Sequence, residues 1–243
     1  MSANLEIFPR NFVLVTSRVN PAEKINTTTK GRNKMRNIKR IAAVATATAL
    51  LFSPMSLAKA EDEPLKSMPL TEVLSLHNAS FDKNLNDFDV FTSIWMDVWG
   101  RLPDSPVQVI SNGNTALTAF LPTDYAFQKV VKHLTGRTFK SEGRIASAVM
   151  SLGVKTVEKV ILYHVVIGDP ILSPVALQAN GAILNAASGE TIGVRVSGTN
   201  IRLVDKHKNH TNALVILSAV DINKGNKQVA HGISQVMLPT LNN

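Results

Sequence analysis

The sequence contains no cysteine among its 243 residues. This absence excludes disulfide bonds, thiolate metal ligands, a cysteine nucleophile and a lipid-modified cysteine anchor. The patterns G-x-S-x-G, H-E-x-x-H, G-x-G-x-x-G and the phosphate-binding P-loop are absent as well, and these are common signatures of hydrolases, zinc proteases and nucleotide-binding proteins. We therefore predict no cofactor, no metal site and no catalytic residues, and we do not expect an enzyme.

Basic residues are in excess only in the first 60 positions. Residues 1–60 hold 10 Lys and Arg against 2 Asp and Glu, which accounts for the whole formal charge of +8, whereas residues 61–243 hold 16 of each and are formally neutral. A protein that binds nucleic acid needs a basic face that displaces counterions from phosphates. The neutral remainder is therefore not expected to bind nucleic acid.

Residues 35–60 have the layout of a secretory signal peptide. A basic stretch at 35–40 precedes the mainly apolar run Ile41–Phe52, and Ala58 and Ala60 then provide small residues two positions apart. The run is shorter than the roughly 20 residues that span a bilayer, so we predict no membrane span in the mature chain. We expect cleavage near Ala60 and export to the extracellular space, or to the periplasm of a Gram-negative source. An uncleaved anchor or a buried helix is the alternative.

Four segments are predicted along the chain. Residues 1–34 form a non-functional upstream extension if translation starts at Met35, residues 35–60 form the signal peptide, and residues 61–69, which contain two prolines, form a flexible lead. Residues 70–240 have no internal repeat and no linker, so they are predicted to form one domain. A mature chain of this size can bury a core large enough to fold without disulfides.

Apolar spacing predicts helices in the first half of this domain and strands mainly in the second. The predicted helices are Leu70–Leu76, Asp89–Trp99, a helix capped by Thr123, Ile145–Leu152 and Lys155–His164. The predicted strands are Val107–Ile110, Ala116–Leu121, Ala182–Leu184, Thr191–Val196, Asn200–Val204, Ala213–Val220 and Val229–Leu238. This order is typical of the α+β class.

Two groups of side chains are candidates for binding, each with a structural alternative. Phe91, Trp95 and Trp99 are spaced four apart, so they could form an aromatic platform for a sugar or lipid, or the core-facing stripe of a helix. His207 and His210 lie near Asp205 and could hold a metal. We interpret this second group as a solvated hairpin loop.

His164 ends an apolar helical face directly after Tyr163. A catalytic role would require a nucleophile or a carboxylate beside the imidazole. We interpret it as a core histidine, which needs hydrogen-bond partners because a buried unpaired polar group costs about 1–3 kcal/mol.

Three segments in order resemble the fasciclin domain family. The first, residues 118–127, reads TAFLPTDYAF; the second reads YHVV at 163–166, followed by Gly168; the third reads AVDI at 219–222 and then VAHGISQVMLP at 229–239. The signature positions, which we interpret as structural, are Thr118, Phe120, Pro122, Thr123, Asp124, Phe127, Asp221, His231, Leu238 and Pro239. Lys227-Gln228 replaces the usual Asn-Gly, Gly232 replaces an apolar residue, and Ser234 replaces an Asp. These departures resemble a secreted, single-domain bacterial branch.

This resemblance implies both a fold and a function. The fold is a β-sheet wedge or sandwich with helices packed against it. The function is non-catalytic adhesion, in which the module binds an extracellular or cell-surface protein, matrix or glycan. The family's Tyr-His region is linked with receptor binding, which would place Tyr163 and His164 at the binding site. The alternative is an extracellular carrier of a lipid, haem or sugar with an apolar groove near Phe91, Trp95 and Trp99.

Overall fold

The computed structural model describes residues 63–76, 81–208 and 210–240. The predicted upstream extension (1–34) and signal peptide (35–60) lie outside these ranges. The helices are α1 (Leu70–Leu76), α2 (Asp89–Arg101), α3 (Asp124–Thr135), α4 (Glu142–Met150), α5 (Val154–Tyr163) and α6 (Ser173–Ala176). The strands are β1 (Leu117–Pro122), β2 (Val165–Ile167), β3 (Ile183–Asn185), β4 (Thr191–Ser197), β5 (Asn200–Val204), β6 (Ala213–Leu214) and β7 (Gln228–Ile233).

Strand β1 lies in the middle of a three-stranded sheet. It pairs antiparallel with β2 and parallel with β7. Every residue of β1 and of β7 is buried, because both faces of this sheet are covered. The alternating side chains of β1 therefore serve two cores: Leu117, Ala119 and Leu121 pack with the helices, whereas Phe120 packs with the second sheet.

The second sheet has four antiparallel strands in the order β3-β4-β5-β6. Its β4–β5 hairpin turns at Gly198, whose φ of 58° lies in the left-handed region that glycine enters without strain. Ile192, Val194, Ile201 and Leu203 form its buried face, and they alternate with half-buried or exposed residues. This is the expected pattern for a sheet with one face in the core.

Helices α2 to α5 cover the face of the three-stranded sheet that points away from the second sheet. Phe91, Ile94 and Trp95 of α2 pack in the same core as Phe127 of α3 and Ile161 of α5. The predicted helices are confirmed, with α4 beginning three residues earlier than its apolar spacing indicates. The chain therefore has the predicted α+β fold, with helices mainly in the first half and strands in the second. The three-stranded sheet lies between the helices and a second sheet, an arrangement that the sequence does not predict.

The predicted strand at Val107–Ile110 is wrong. This stretch is part of a 3₁₀ helix, Pro106–Ser111. Ser105 precedes the helix and its hydroxyl accepts a hydrogen bond from the Val107 N–H, and Pro106 suits the first helical position because no N–H is needed there. Val107 and Ile110 are both buried, which fits the three-residue turn of a 3₁₀ helix.

The predicted strand at Ala213–Val220 is wrong beyond its first two residues. Val215 bridges to Ile233, and the Ile216 N–H donates to the carbonyl of Gly232. The apolar run thus passes from the four-stranded sheet to β7, and a 3₁₀ helix, Leu217–Ala219, follows. A continuous apolar stretch here contacts two sheets in succession.

Residues preceding α1 are hydrogen-bonded to the chain just before β7. The Lys66 N–H donates to the Gly225 carbonyl, and the next residue, Ser67, lies directly against Gly113. A Cβ on Gly113 would come within 1.8 Å of the Ser67 carbonyl oxygen, so only glycine fits at this close approach.

Across the described ranges, no helix has both the length and the apolar content of a membrane span.

Candidate functional site

Thr123 and Asp124 begin α3 directly after β1. The Thr123 hydroxyl accepts a hydrogen bond from the Ala126 N–H at 3.3 Å, as an N-cap residue does. Asp124 is fully buried, and its Oδ1 accepts from the Val90 N–H of α2 at 3.0 Å. The first family signature therefore joins the sheet to the first turns of two helices.

Tyr163 and His164 both lie in the interior, with 0% and 1% of their surface exposed. The Tyr163 hydroxyl donates to the Thr191 carbonyl, which links α5 to β4. The Nδ1 of His164 lies 2.7 Å from the Val160 carbonyl, and its Nε2 accepts from the Met237 N–H. Both ring nitrogens are thus engaged with the backbone, as expected for a core histidine, and burial lowers the pKa of His164 to about 4.

A polar network extends from β7 to the chain before α6. The His231 Nε2 lies 2.7 Å from the Ile171 carbonyl, and its Nδ1 accepts from the Asp221 N–H. Asp221 in turn accepts two hydrogen bonds from Ser173, one from the backbone N–H and one from the hydroxyl, both 2.7 Å long. The Ile171 N–H donates to the Thr118 hydroxyl of β1.

Gln228, at the start of β7, belongs to the same group of buried polar residues. Its Oε1 accepts from the Leu70 N–H, and its Nε2 donates to the carbonyls of Val109 and Asn112. We refer to Gln228, His231, Asp221 and Ser173 together as the β7 network. Each of its members makes hydrogen bonds to the backbone or to another member.

Ionisation states in the β7 network follow from these contacts. Burial alone would raise the pKa of Asp221, but the two hydrogen bonds from Ser173 outweigh it, so this pKa lies below its usual value. Burial lowers the pKa of His231 against the opposing effects of the Ile171 carbonyl and Asp221. A neutral imidazole that donates from Nε2 and accepts at Nδ1 satisfies both contacts.

The β7 network holds a segment that exposes apolar side chains. We define the α6 segment as residues 167–183. Ile171, Ala176, Ala179 and Ala182 of this segment pack against the second core. Ile167, Val175, Leu177 and Ile183 are exposed, with values of 44%, 60%, 36% and 58%.

Two of the three predicted platform aromatics lie inside the helical core. Phe91 and Trp95 are 2% and 3% exposed, and the Trp95 Nε1–H donates to the Val107 carbonyl. Trp99 is 39% exposed, and its ring centroid lies 5.2 Å from that of Trp95. Trp99 is therefore the member of this group that can contact another molecule directly.

Three histidines lie together, of which the sequence pattern indicates only two. His133, in the last turn of α3, has its ring centroid 5.5 Å from that of His210 and 6.4 Å from that of His207. Asp205 accepts hydrogen bonds from the backbone of His207 and Leu238. Within the described residues, the ligand atoms of these histidines do not converge closely enough to form a metal-binding group.

Five carboxyl groups meet where α2, α3 and α4 begin, and we call Asp82, Asp87, Asp89, Asp124 and Glu142 the acidic corner. Oxygens of Asp82, Asp89 and Glu142 all lie within 4.8 Å of one another. Glu142 is 2% exposed, and neither of its oxygens has a hydrogen-bond partner in the described part of the chain. Asp87 and Asp124 each have one further buried oxygen without a partner there.

Burial and neighbouring carboxyl groups together shift the pKa of Asp124 in the acidic corner. Burial raises the pKa of Asp124 far above its ordinary value of 3.8; the hydrogen bond from Val90 opposes this rise, and the carboxyl groups of Asp87 and Glu142 add to it. Among the described residues, no Lys or Arg forms an ion pair with Asp82, Asp87, Asp124 or Glu142.

A groove of about 430 Å³ lies beside the acidic corner, between α2 and α4. Phe81, Ile94 and Met150 contribute apolar surface to it, and Asp97 and Arg101 contribute a charged pair whose atoms are 2.7 Å apart. The sequence pattern indicates neither the groove nor the acidic corner. Their residues lie about 60 positions apart in the chain, and no local motif connects them.

The family comparison agrees with the motif order. The model of the fasciclin domain matches residues 105–239, which is 135 of the 243 residues. Among solved structures, a pair of FAS1 domains from the insect cell adhesion molecule fasciclin I is similar, with 18% identity and a TM-score of 0.45; the match covers 72% of this chain and 52% of that one. This chain thus spans about half the length of that solved domain pair. A search of curated proteins found no match. The family match spans more than half of the sequence, and the chain belongs to the fasciclin domain family.

Proposed function

We propose that this chain is a secreted, non-catalytic adhesion module that binds an extracellular or cell-surface protein, matrix or glycan. The observation that carries the proposal is the family match over residues 105–239. Fasciclin domains generally act as adhesion modules rather than enzymes. The signal-peptide pattern at 35–60 supports export.

The state of the buried histidines supports a non-catalytic function. Both nitrogens of His164 and both nitrogens of His231 contact backbone groups. A general base needs a free nitrogen within reach of a substrate proton. Neither histidine meets that requirement in this arrangement.

The α6 segment is the surface that we propose for partner binding. Its four exposed apolar side chains lie within 17 residues of sequence, on a segment fixed by the β7 network. Exposed apolar groups on a rigid support are typical of interaction surfaces. We propose that Tyr163 and His164 act as positioning residues for this surface. Phe91 and Trp95 act in the same way for Trp99, and Trp99 contacts the partner directly.

Binding of the labelled, purified chain to washed cells of its source tests this proposal. We expect saturable binding that heat-unfolded protein lacks. Val175→Ser and Ile183→Ser should each weaken it about tenfold, because each removes an exposed apolar contact. Leu152→Ser is the matched control, since Leu152 is 43% exposed in the turn between α4 and α5, outside the α6 segment. Binding that is absent in the native chain, or equal in all variants, would contradict the proposal.

The mass of the exported protein tests the proposed export and signal-peptide cleavage. The mass of the protein isolated from its source should correspond to a chain that begins at Glu61. Recovery of residues 1–34 in the exported protein would contradict both the start at Met35 and the predicted cleavage.

A small-ligand carrier is the second candidate, and the groove between α2 and α4 favours it. Its volume lies in the range of ligand pockets. The lining contains both apolar residues and the Asp97–Arg101 pair, so an amphipathic ligand would fit best. A thermal-shift screen of lipids, haems and sugars should identify such a ligand by a rise in Tm, and Ala146→Phe, which fills the groove, should abolish that rise.

A further inference from the structure

Glu142 is a buried carboxyl group that no protein group in the described ranges satisfies. It is the first residue of α4, where the helix dipole favours a negative charge. However, that dipole acts equally on an exposed carboxylate and does not require burial. Neither Glu142 oxygen accepts a hydrogen bond from the first turn of the helix. The position of Glu142 is therefore not explained by helix capping.

The oxygens around Glu142 have the spacing of cation ligands. One oxygen each from Asp82, Asp89 and Glu142 lies within 4.8 Å of the other two. This limit is about twice the Ca²⁺–oxygen distance of 2.3–2.6 Å. An ion between three oxygens at these separations would lie about 2.8 Å or less from each of them, close to the Ca²⁺–oxygen range.

We propose that the acidic corner is a Ca²⁺ site, with Asp82, Asp89 and Glu142 as its protein ligands. The donors are all carboxylate oxygens, which suit a hard cation and not Zn²⁺ or Cu²⁺. Asp82 is exposed, so water can reach the ion and complete its coordination.

A proton shared between the carboxyl groups explains this arrangement less well than a bound divalent ion does. One proton can bridge two carboxyl groups, whereas a Ca²⁺ ion satisfies oxygens from all three residues. These residues belong to three places in the fold: the loop before α2, the start of α2 and the start of α4. Bound Ca²⁺ would therefore tie together elements that are about 60 positions apart in sequence.

Calcium titration of the metal-free full chain tests the proposal. The chain is treated with a chelator, dialysed and titrated with CaCl₂ by isothermal calorimetry. We expect one ion per chain with a Kd of about 10⁻⁵–10⁻³ M, and a Tm raised by about 5 °C at saturation. No heat of binding and no change in Tm up to about 10 mM Ca²⁺ would overturn the proposal.

Two ligand variants and one control locate the ion. Glu142→Gln and Asp82→Asn should each weaken Ca²⁺ binding about tenfold or more; Asp82 is exposed, so its variant is expected to fold even if Glu142→Gln does not. Asp97→Asn should leave the affinity unchanged, because Asp97 lies on α2 but pairs with Arg101. Wild-type affinity in both ligand variants would overturn the assignment.

Thermal shifts with other metals test whether an ion binds at the acidic corner or at the three histidines. A rise in Tm with Zn²⁺ alone, abolished by His207→Ala and retained in Glu142→Gln, would overturn the Ca²⁺ site. A response to Ca²⁺ that survives His207→Ala and is lost in Asp82→Asn would support it.

Discussion

The β7 network and the acidic corner both contain buried polar residues, but these residues are satisfied by hydrogen bonds to very different degrees. In the network, Gln228, His231 and Asp221 contact backbone groups or Ser173. In the acidic corner, both oxygens of Glu142 lack a partner among the described residues. A buried charge without a counter-charge costs several kcal/mol of folding free energy. We infer that the network serves the fold, and that the acidic corner is completed by a ligand.

Loss of a partner in the β7 network should have the largest effect. Gln228→Met keeps the approximate shape of the side chain but leaves the Leu70 N–H and the carbonyls of Val109 and Asn112 without their partner. Because each unsatisfied buried group costs about 1–3 kcal/mol, the free energy of unfolding should fall by about 4 kcal/mol.

Urea unfolding measures this loss, and Gln178→Met, at an exposed position, is the control. A loss below about 1 kcal/mol in Gln228→Met would show that the network contributes little to the fold.

Sequence periodicity predicts the surroundings of the β7 network only in outline. The α+β class, the helices and strand β1 follow from apolar spacing, because each of these elements buries a regular set of side chains. The sequence marks Gln228 only as a departure from the family pattern. Its role depends on α1 and on the 3₁₀ helix Pro106–Ser111, which are distant in sequence, so no local pattern could indicate it.

Two failed strand predictions have a common physical cause; a third, Val229–Leu238, is wrong only beyond Ile233, where β7 ends. Val107–Ile110 and Ala213–Val220 are apolar enough for strands, but a strand also needs a neighbouring strand for its backbone hydrogen bonds. Ser105 and Pro106 favour a helical turn in the first case. In the second, the backbone of Ile216 bonds to Gly232 and leaves the four-stranded sheet.

Because His164 is buried in its neutral form, the free energy of unfolding should depend on pH. Burial lowers the pKa of His164 to about 4 from its ordinary value of 6.5, so between these values the unfolded chain binds a proton that the folded chain does not. The stability contributed by neutral His164 is fully present above pH 6.5 and is lost as the pH falls towards 4. This loss amounts to about 3 kcal/mol.

Unfolding free energies measured from about pH 7 to about pH 4 test this expectation. His164→Gln, whose amide can also donate and accept, should have a shallower pH dependence than the wild type. Identical slopes in the two proteins would contradict a neutral, buried His164.

Asp221 tests a smaller part of the β7 network. Asp221→Ala removes two hydrogen bonds from Ser173 to a charged acceptor, so the free energy of unfolding should fall by about 2 kcal/mol. The Ser173 amide should also exchange its hydrogen faster, because the α6 segment loses an anchor. Asp169→Ala, an exposed change on the same segment, should stay within about 0.5 kcal/mol of the wild type.

Loss of a polar group from the acidic corner should raise the free energy of unfolding, whereas loss of one from the β7 network should lower it. In chelator, Glu142→Gln removes a buried carboxyl group that faces those of Asp82 and Asp89 and has no hydrogen-bond partner among the described residues, so the free energy of unfolding should rise by about 1 kcal/mol. Glu158→Gln makes the same substitution on α5, where Glu158 pairs with Lys155 at 3.0 Å, and should lower it by about 0.5 kcal/mol. Urea unfolding of both variants compares the two directly. A loss of stability in Glu142→Gln would mean that a partner in the protein already satisfies this carboxyl group, and the contrast between the two buried regions would then disappear.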